Sequence, residues 1–154
     1  MFEKILVCLD GSKLAEQILP YATEQAICFN SKVVLLRAFT MPSIVAVAEA
    51  QASMINPYLM QVESQRQEAI AKAYLEKVAI SLRERGLDVA CVTVYGTAGE
   101  VIVDYAQNES AGLIALATHG HSGIGRVIFG SVADHVLRES GLPILVIKPR
   151  EIET

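Results

Sequence analysis

The chain contains five short apolar runs separated by stretches of helical composition, and this alternation constrains its fold more than any other feature. The runs occupy residues 5–9, 32–39, 89–95, 113–117 and 144–148. Continuous apolar strands that alternate with helices are typical of a parallel sheet covered by helices on both faces. The connections between such strands are right-handed. The pattern therefore predicts an α/β fold with helices on both sides of a parallel sheet.

The stretches between the strands carry helical signals. Apolar residues recur along one helical face from Leu14 to Ala26, and Ser12 is suited to the N-cap position before them. Pro20 lies within that pattern, so we expect a kink there. Good helix formers fill the longest stretch, and Gly86 is a natural helix stop. The predicted helices span residues 12–29, 62–86, 98–108 and 132–140.

Composition limits the class of protein. The 154 residues suit a single domain, 1–154, and with 52% hydrophobic and 19% charged residues the chain can bury a sizeable core. A net charge of −4 with no basic tail argues against nucleic-acid and anionic-membrane partners. No apolar run is long enough to span a bilayer or serve as a signal peptide. Cys8, Cys28 and Cys91 form no CxxC spacing and are interpreted as buried thiols in a reducing, cytoplasmic setting.

Ligands of open parallel sheets bind at the carboxyl ends of the strands, where the strand order changes direction. Three segments follow predicted strands at that edge: residues 9–12, 38–41 and 118–131. Residues 41–61 form an apolar, methionine-containing segment between prolines with no clear period. We interpret this segment as a lid or insertion, a short helix or a partner surface, or as a backward extension of the 62–86 helix.

The glycine-rich segment "ATHGHSGIGRVIFGS", residues 117–131, has two interpretations. Gly130 and Ser131 precede a helix, where backbone N–H groups and the Ser131 hydroxyl can bind a phosphate. Alternatively, Ser131 and Asp134 form a capping box and Gly130 only ends the loop. The Walker lysine and the GxGxxG pattern are both absent.

The same segment contains two histidines, His119 and His121. An HxH pair can ligate a metal, but the sequence provides no third ligand beside it. A nucleophile elbow of the form GxSxG does not occur. We therefore interpret both histidines as residues that shape the loop or face a dimer partner, and rank a hydrolase or transferase that uses His119 lowest.

Several segments together resemble the universal stress protein family. They are "ILVCLDGS", "ILPYATEQA", "VVLLRAF", "VYGTAGEVIVDYA" and "ALATHGHSGIGRVIFGSVADHVLRESGLPILVIKP". The ATP-binding subgroup of that family carries G-x2-G-x9-G-[ST], and Gly120 followed by Gly130 and Ser131 matches its later part. Ala117 stands at the first glycine of the motif, which is a departure because alanine rarely adopts positive φ.

The resemblance implies a three-layer αβα sandwich, adenine nucleotide alpha hydrolase-like, with strand order 3-2-1-4-5. It also implies a homodimer paired through the last strand, from Ile144 to Lys148. Asp10 is then expected beside the ribose or the metal-bound phosphates; the alternative is an Asp-Gly turn in which Asp10 only caps the helix, and the family pattern favours the ligand role. Arg126 either reaches a phosphate or is solvated. The implied nucleotide-binding residues are Asp10, Ala38, Ala117, Gly120, Gly130, Ser131 and Val132.

The resulting prediction is a stress sensor or regulator that binds ATP, or ADP or AMP, with Mg²⁺ held mainly by the phosphates. Hydrolysis is expected to be weak or absent, because the sequence offers neither a Walker lysine nor a dedicated general base. The alternative is a family member that binds no nucleotide and acts as a dimeric protein-interaction module. Ala117 and the apolar segment 41–61 motivate that alternative.

Overall fold

A computed structural model describes residues 1–41, 56–118 and 130–150. A five-stranded, fully parallel sheet forms its centre, and its strands, numbered along the chain, lie side by side in the order 3-2-1-4-5. This confirms the predicted α/β architecture and the strand order implied by the family resemblance. The strands are β1 (Lys4–Cys8), β2 (Lys32–Phe39), β3 (Val89–Tyr95), β4 (Leu113–Ala117) and β5 (Ile144–Ile147).

Helices cover both faces of this sheet. Among the described residues, two short helices follow β1, a long helix precedes β3, one helix follows β3 and one precedes β5. The helices of the described residues are α1 (Lys13–Glu16), α2 (Leu19–Phe29), α3 (Pro57–Glu84), α4 (Ala98–Asn108) and α5 (Ser131–Glu139).

The sheet divides the core into two hydrophobic clusters because successive side chains of a strand point to opposite faces. Val33 and Leu35 of β2 pack with the buried residues of α1, α2 and α3. Val34 and Leu36, their neighbours in the same strand, pack with the buried residues of α4 and α5. All four side chains are at most 2% exposed, as expected for a parallel strand buried on both faces.

The region predicted as one kinked helix over 12–29 consists of two helices. Ser12 is the N-cap of α1, as predicted, and its Oγ accepts a hydrogen bond of 3.1 Å from the backbone N–H of Ala15. α1 ends at Glu16 and α2 begins at Leu19, with Pro20 in its first turn. A proline is well accommodated there because first-turn N–H groups have no intrahelical partner. The proline therefore marks a helix start, and the single-helix prediction is wrong.

α3 begins five residues earlier than predicted and projects beyond the sheet. Asn56 caps it, because its side chain accepts a hydrogen bond of 3.0 Å from the N–H of Tyr58. Its 28 residues span about 42 Å, whereas an eight-residue strand such as β2 spans about 26 Å. The buried residues of α3 all lie from Ala71 onward, so its earlier turns extend past the carboxyl edge of the sheet. Residues 57–61 of the 41–61 segment are therefore helical, while 42–55 lie outside the described residues.

Two further findings concern the cysteines and the possibility of membrane spans. Cys8 is buried and Cys91 is half-buried, but Cys28 is exposed, which contradicts the prediction of three buried thiols. Cys28 follows the buried residues Ala22, Thr23 and Ala26 of α2 but does not share their face. Within the part of the chain that the structure describes, no helix is long and apolar enough to cross a bilayer.

Candidate functional site

The order of the strands creates a switch point between β1 and β4. From β1 the chain continues to β2 on one side, and from β3 it returns to β4 on the other side of β1. The carboxyl ends of β1 and β4 are adjacent there, and α5, which leads back to β5, begins at the same edge. Ligands of open parallel sheets bind in the crevice at such a point.

A tight turn connects β1 to α1 at this edge. Gly11 has φ +90°, a conformation that side-chain-bearing residues rarely adopt. The exposed Asp10 accepts a hydrogen bond of 2.8 Å at Oδ1 from the N–H of Ser12, and Ser12 in turn caps α1. The structural explanation for Asp10 is therefore realised as an Asx-type turn. The same turn holds its carboxylate at the edge where the sequence predicts a ligand.

Arg37 of β2 extends to this turn, which the sequence analysis did not predict. A Cβ added to Gly11 would lie 3.0 Å from Cζ, 3.0 Å from Nη2 and 3.2 Å from Nη1 of Arg37. Because these distances are nearly equal, the face of the guanidinium lies against Gly11. The only sequence signal for this contact is a charged residue inside the apolar run "VVLLRAF".

Tyr74 of α3 holds the Arg37 side chain from the helical layer. The Arg37 Cζ lies 4.9 Å from the centroid of the Tyr74 ring, a cation–π geometry. The Tyr74 hydroxyl donates a hydrogen bond of 3.1 Å to Oε1 of Glu16, whose Oε2 pairs with Lys13 at 2.8 Å. Burial, and next the Glu16 carboxylate, raise the pKa of Tyr74, so the phenol stays a neutral donor.

Ala38 and Ala117 lie at the strand ends, where the resemblance implies backbone contacts with the nucleotide. Ala38 is half-buried and packs against the α4 and α5 cluster. Ala117 is half-buried and is paired with Ile147 in the parallel ladder, and the N–H of Thr118 donates to the carbonyl of Ile147 at 2.9 Å. Ala117 is not among the residues with positive φ. Alanine at the first motif position is thus compatible with the strand conformation observed there.

α5 begins at the switch point without a side-chain cap from any of the described residues. Gly130 is the N-cap and no side-chain cap hydrogen bond forms, so the predicted Ser131–Asp134 capping box is absent. Asp134 instead pairs with Arg138 at 3.1 Å, one helical turn away. Ser131 is exposed as the first helical residue, and Val132 is half-buried against the α4 and α5 cluster. The capping explanation for Ser131 is therefore wrong, because Ser131 is the first residue of the helix and the N-cap position is occupied by Gly130.

Several predicted residues lie in parts of the chain that the structure does not describe. Gly120 and Arg126, the second motif glycine and the only cation of the motif, belong to residues 119–129, as do His119 and His121. Within the described ranges, no group of three or more His, Cys, Asp or Glu residues is arranged to hold a metal ion.

β5 forms one edge of the sheet, next to β4. Its four residues, Ile144–Ile147, are all half-buried. An apolar edge strand carries unpaired backbone groups along one side, and such strands pair readily with other chains.

Comparison with known proteins agrees with this architecture. A sequence model of the universal stress protein family matches residues 1–148. The chain is 28% identical to universal stress protein MJ0531 of Methanocaldococcus jannaschii over 149 residues, covering 96% of this chain and 83% of that protein. Protein MJ0577 of the same organism, another universal stress protein, has a solved structure with 27% identity and a TM-score of 0.76, covering 99% of both chains.

A universal stress protein solved in complex with cAMP has the same fold, with a TM-score of 0.70 and 21% identity, covering 97% of this chain and 98% of that one. The strand order, the glycine motif and the match over 148 residues lead to one assignment. This chain belongs to the universal stress protein family.

Proposed function

We propose that this chain binds an adenine nucleotide, ATP in the first place, at the switch point between β1 and β4. The observation that carries the proposal is the start of α5 at this edge, with a glycine N-cap and an exposed Ser131 hydroxyl. Helix N-termini bind anions because their first N–H groups lack intrahelical partners and the helix dipole is positive there. The described residues proposed to line the nucleotide are Asp10, Ala38, Ala117, Gly130, Ser131 and Val132.

The local geometry supports different roles for these residues in nucleotide binding. Ser131 and Val132 offer backbone N–H groups for phosphate, and Gly130 has no side chain to keep the phosphate away. Asp10, across the switch point, offers a carboxylate for the ribose or for a metal ion bound to the phosphates. Mg²⁺ prefers oxygen ligands and is commonly held by substrate phosphates with few protein carboxylates, so the proposal places it mainly on the nucleotide.

The family assignment supports the class of ligand. One universal stress protein with this fold has been solved in complex with cAMP, an adenine nucleotide, and this indicates which ligands to test first. We extend the proposal to a cytoplasmic stress sensor or regulator that works as a homodimer paired through β5. Hydrolysis of the bound nucleotide is proposed to be weak or absent, with residues 1–154 acting as one domain.

The test begins with identifying what the protein retains during purification. Mass spectrometry of the small molecules released on denaturation, followed by calorimetry with ATP, ADP and AMP in the presence of Mg²⁺, measures the ligand and its affinity. Absence of binding at millimolar nucleotide would refute the proposal. Sedimentation of the wild-type protein tests the dimer independently.

Gly130→Val tests the position of the phosphates. The valine side chain would block close approach of the phosphate to the α5 N-terminus, so ATP binding is expected to be lost while the fold remains. The matched control is Thr97→Val, because Thr97 is the exposed N-cap of α4 and also makes no side-chain cap hydrogen bond. Circular dichroism verifies that both variants fold. Unchanged ATP affinity in Gly130→Val would place the phosphates elsewhere.

A second candidate function is a protein-interaction module, and the projecting start of α3 favours it. Tyr58 and Leu59 are 68% and 63% exposed there, and Val62 is 44% exposed on the next turn. Exposed apolar groups that cluster in this way are typical of interaction surfaces. If the wild-type protein binds no nucleotide, a Tyr58→Ser/Leu59→Ser variant should lose a defined partner that co-purifies with the wild type. Retention of that partner would contradict the second candidate.

A further inference from the structure

Arg37 supplies a positive charge at the proposed nucleotide site. Its strand, β2, neighbours β1, and its side chain crosses to the turn that follows β1. Neighbouring strands are about 4.8 Å apart, so the guanidinium lies roughly one strand spacing closer to the switch point than the backbone of β2 does. On the other side of β1 lies β4, which leads to the start of α5. Arg37 thus approaches, from the opposite side, the place where the proposal puts the phosphates.

No carboxylate of residues 1–41, 56–118 and 130–150 forms an ion pair with Arg37 within 4.0 Å. The carboxylate of Glu16 lies nearby but is used by Tyr74 and Lys13. The ion pairs between described residues involve other cations, namely Lys4, Lys13, Arg83 and Arg138. No hydrogen bond to a described residue involves the guanidinium either, although it has five N–H donors. A half-buried cation in this position is suited to a negatively charged ligand.

The packing of the guanidinium determines which part of it is available. Gly11 covers one face and the Tyr74 ring also packs against the group. Contacts of this kind leave the in-plane N–H groups at its edge for hydrogen bonding, and those are the groups with which arginine binds phosphate oxygens in pairs. The contact with the Tyr74 ring also holds the side chain before a ligand arrives, which lowers the entropy lost on binding.

We propose that Arg37, held against Tyr74 and Gly11, binds a phosphate group of the nucleotide through the N–H edge of its guanidinium. This inference rests on the proposed function, because it names a further contact in the same site. It assigns Arg37 to recognition of phosphate and not of the base or the ribose. Its contribution must therefore depend on the number of phosphates that the ligand carries.

The test compares ligands that share the nucleoside and differ in charge. Binding of adenosine, AMP, ADP and ATP is measured by competition with a fluorescent ATP analogue, for the wild type and for Arg37→Gln. Hydrogen bonds to charged groups are worth enough that ATP affinity should fall about 10-fold to 100-fold. Adenosine affinity should stay within about two-fold, since adenosine has no phosphate to lose. Arg37→Lys, which keeps the charge but not the planar fork, should lie between the two proteins for ATP.

The control variant is Arg85→Gln, an exposed arginine at the C-terminal end of α3, far from the carboxyl edge. It changes the net charge equally and should leave every affinity unchanged. If Arg37→Gln weakens adenosine as much as ATP, Arg37 shapes the turn without touching phosphate, and the inference is wrong. Unchanged ATP affinity in Arg37→Gln would also overturn it. If Arg37→Gln does not fold, the same comparison in Arg37→Lys decides the question.

Failure of this inference can be distinguished from failure of the proposed function. A wild-type protein that binds none of the four ligands overturns the proposed function. A wild-type protein that binds ATP, combined with a variant that binds it equally well, overturns only the assignment of Arg37. Thermal unfolding of every variant without ligand is recorded in parallel, so that loss of folded protein is not mistaken for loss of affinity.

Discussion

The contact between α4 and α5 is so close that one added methyl group should lower the stability of the fold. Gly99 of α4 faces His135 of α5, and a Cβ at position 99 would lie 2.9 Å from Cδ2, 3.0 Å from Cγ and 3.2 Å from Cβ of His135. Ordinary carbon–carbon contacts are about 3.5–4.0 Å, so the histidine ring would have to move by roughly 0.6 Å or more.

The expected size of the effect follows from two opposing terms. Overpacking of this kind costs about 1–3 kcal/mol, whereas alanine is favoured over glycine in a helix by about 1 kcal/mol. Gly99→Ala should therefore lower the free energy of unfolding by up to about 2 kcal/mol. In a His135→Ala background most of the clash disappears, although the Cβ at 3.2 Å remains. The helix-propensity gain is the same in both backgrounds, so Gly99→Ala should cost about 1–2 kcal/mol less there than in the wild type, and this difference is the predicted coupling.

The assay is urea unfolding of the wild type, the two single variants and the double variant, followed by circular dichroism under two-state conditions. The double-mutant cycle isolates the contact because each single substitution removes one side of it. Additivity of the two substitutions within about 0.5 kcal/mol would refute the reasoning, because it would mean that the methyl group does not press on His135.

Three further predictions concern other parts of the fold. Cys28 is exposed, whereas burial, and next the Glu76 carboxylate, raise the pKa of Cys91 to about 11. Iodoacetamide at pH 8 should therefore modify Cys28 before Cys91, and equal rates of modification by mass spectrometry would contradict this. Because the pKa of Tyr74 is raised in the folded protein, the unfolded chain loses the phenol proton at a lower pH, and the free energy of unfolding should fall above about pH 10. The fall should be less steep in Tyr74→Phe, and parallel pH profiles of the two proteins would contradict this prediction. Gly112→Ala should lower Tm, because its Cβ would clash with the backbone carbonyl oxygen of Met1, and an unchanged thermal transition would count against it.

Much of the fold could be predicted from the sequence because the apolar runs correspond to buried strands. The bounds predicted for β2, β3, β4 and α4 are those observed. A strand buried on both faces must be apolar throughout its length, so its ends are visible as changes in composition. The order of the strands is different, since it depends on contacts distant in sequence, and it was predicted only from the family resemblance.

The errors arose where a local pattern has more than one structural solution. The apolar spacing from Leu14 to Ala26 continues across the break between α1 and α2, so it does not reveal that break. Cys28 lies between Ile27 and Phe29, and this apolar neighbourhood indicated burial. All three residues are exposed in the structure, because they lie beyond the last buried residue of α2.

The positions of some candidate site residues could be predicted from the sequence, and the position of Arg37 could not. Asp10, Gly130 and Ser131 follow or precede regular elements, so their place at the carboxyl edge follows from the topology. Arg37 could not be predicted in this way, because its contact with Gly11 connects β2 to the turn after β1 and depends on where α3 places the ring of Tyr74. Nothing near Arg37 in the sequence indicates which helix will pack against it.

The division of the core by the sheet has a consequence for how the two layers communicate. The turn after β1 leads into α1 on one side of the sheet, while the start of α5 belongs to the other side. A nucleotide between them would join two hydrophobic clusters that the sheet otherwise keeps apart. Amide hydrogens of α1 and α5 should then slow their exchange with solvent in concert when ligand is added, because opening either layer would require releasing the ligand. The switch point would thus be the place where two separately packed halves become one cooperative unit.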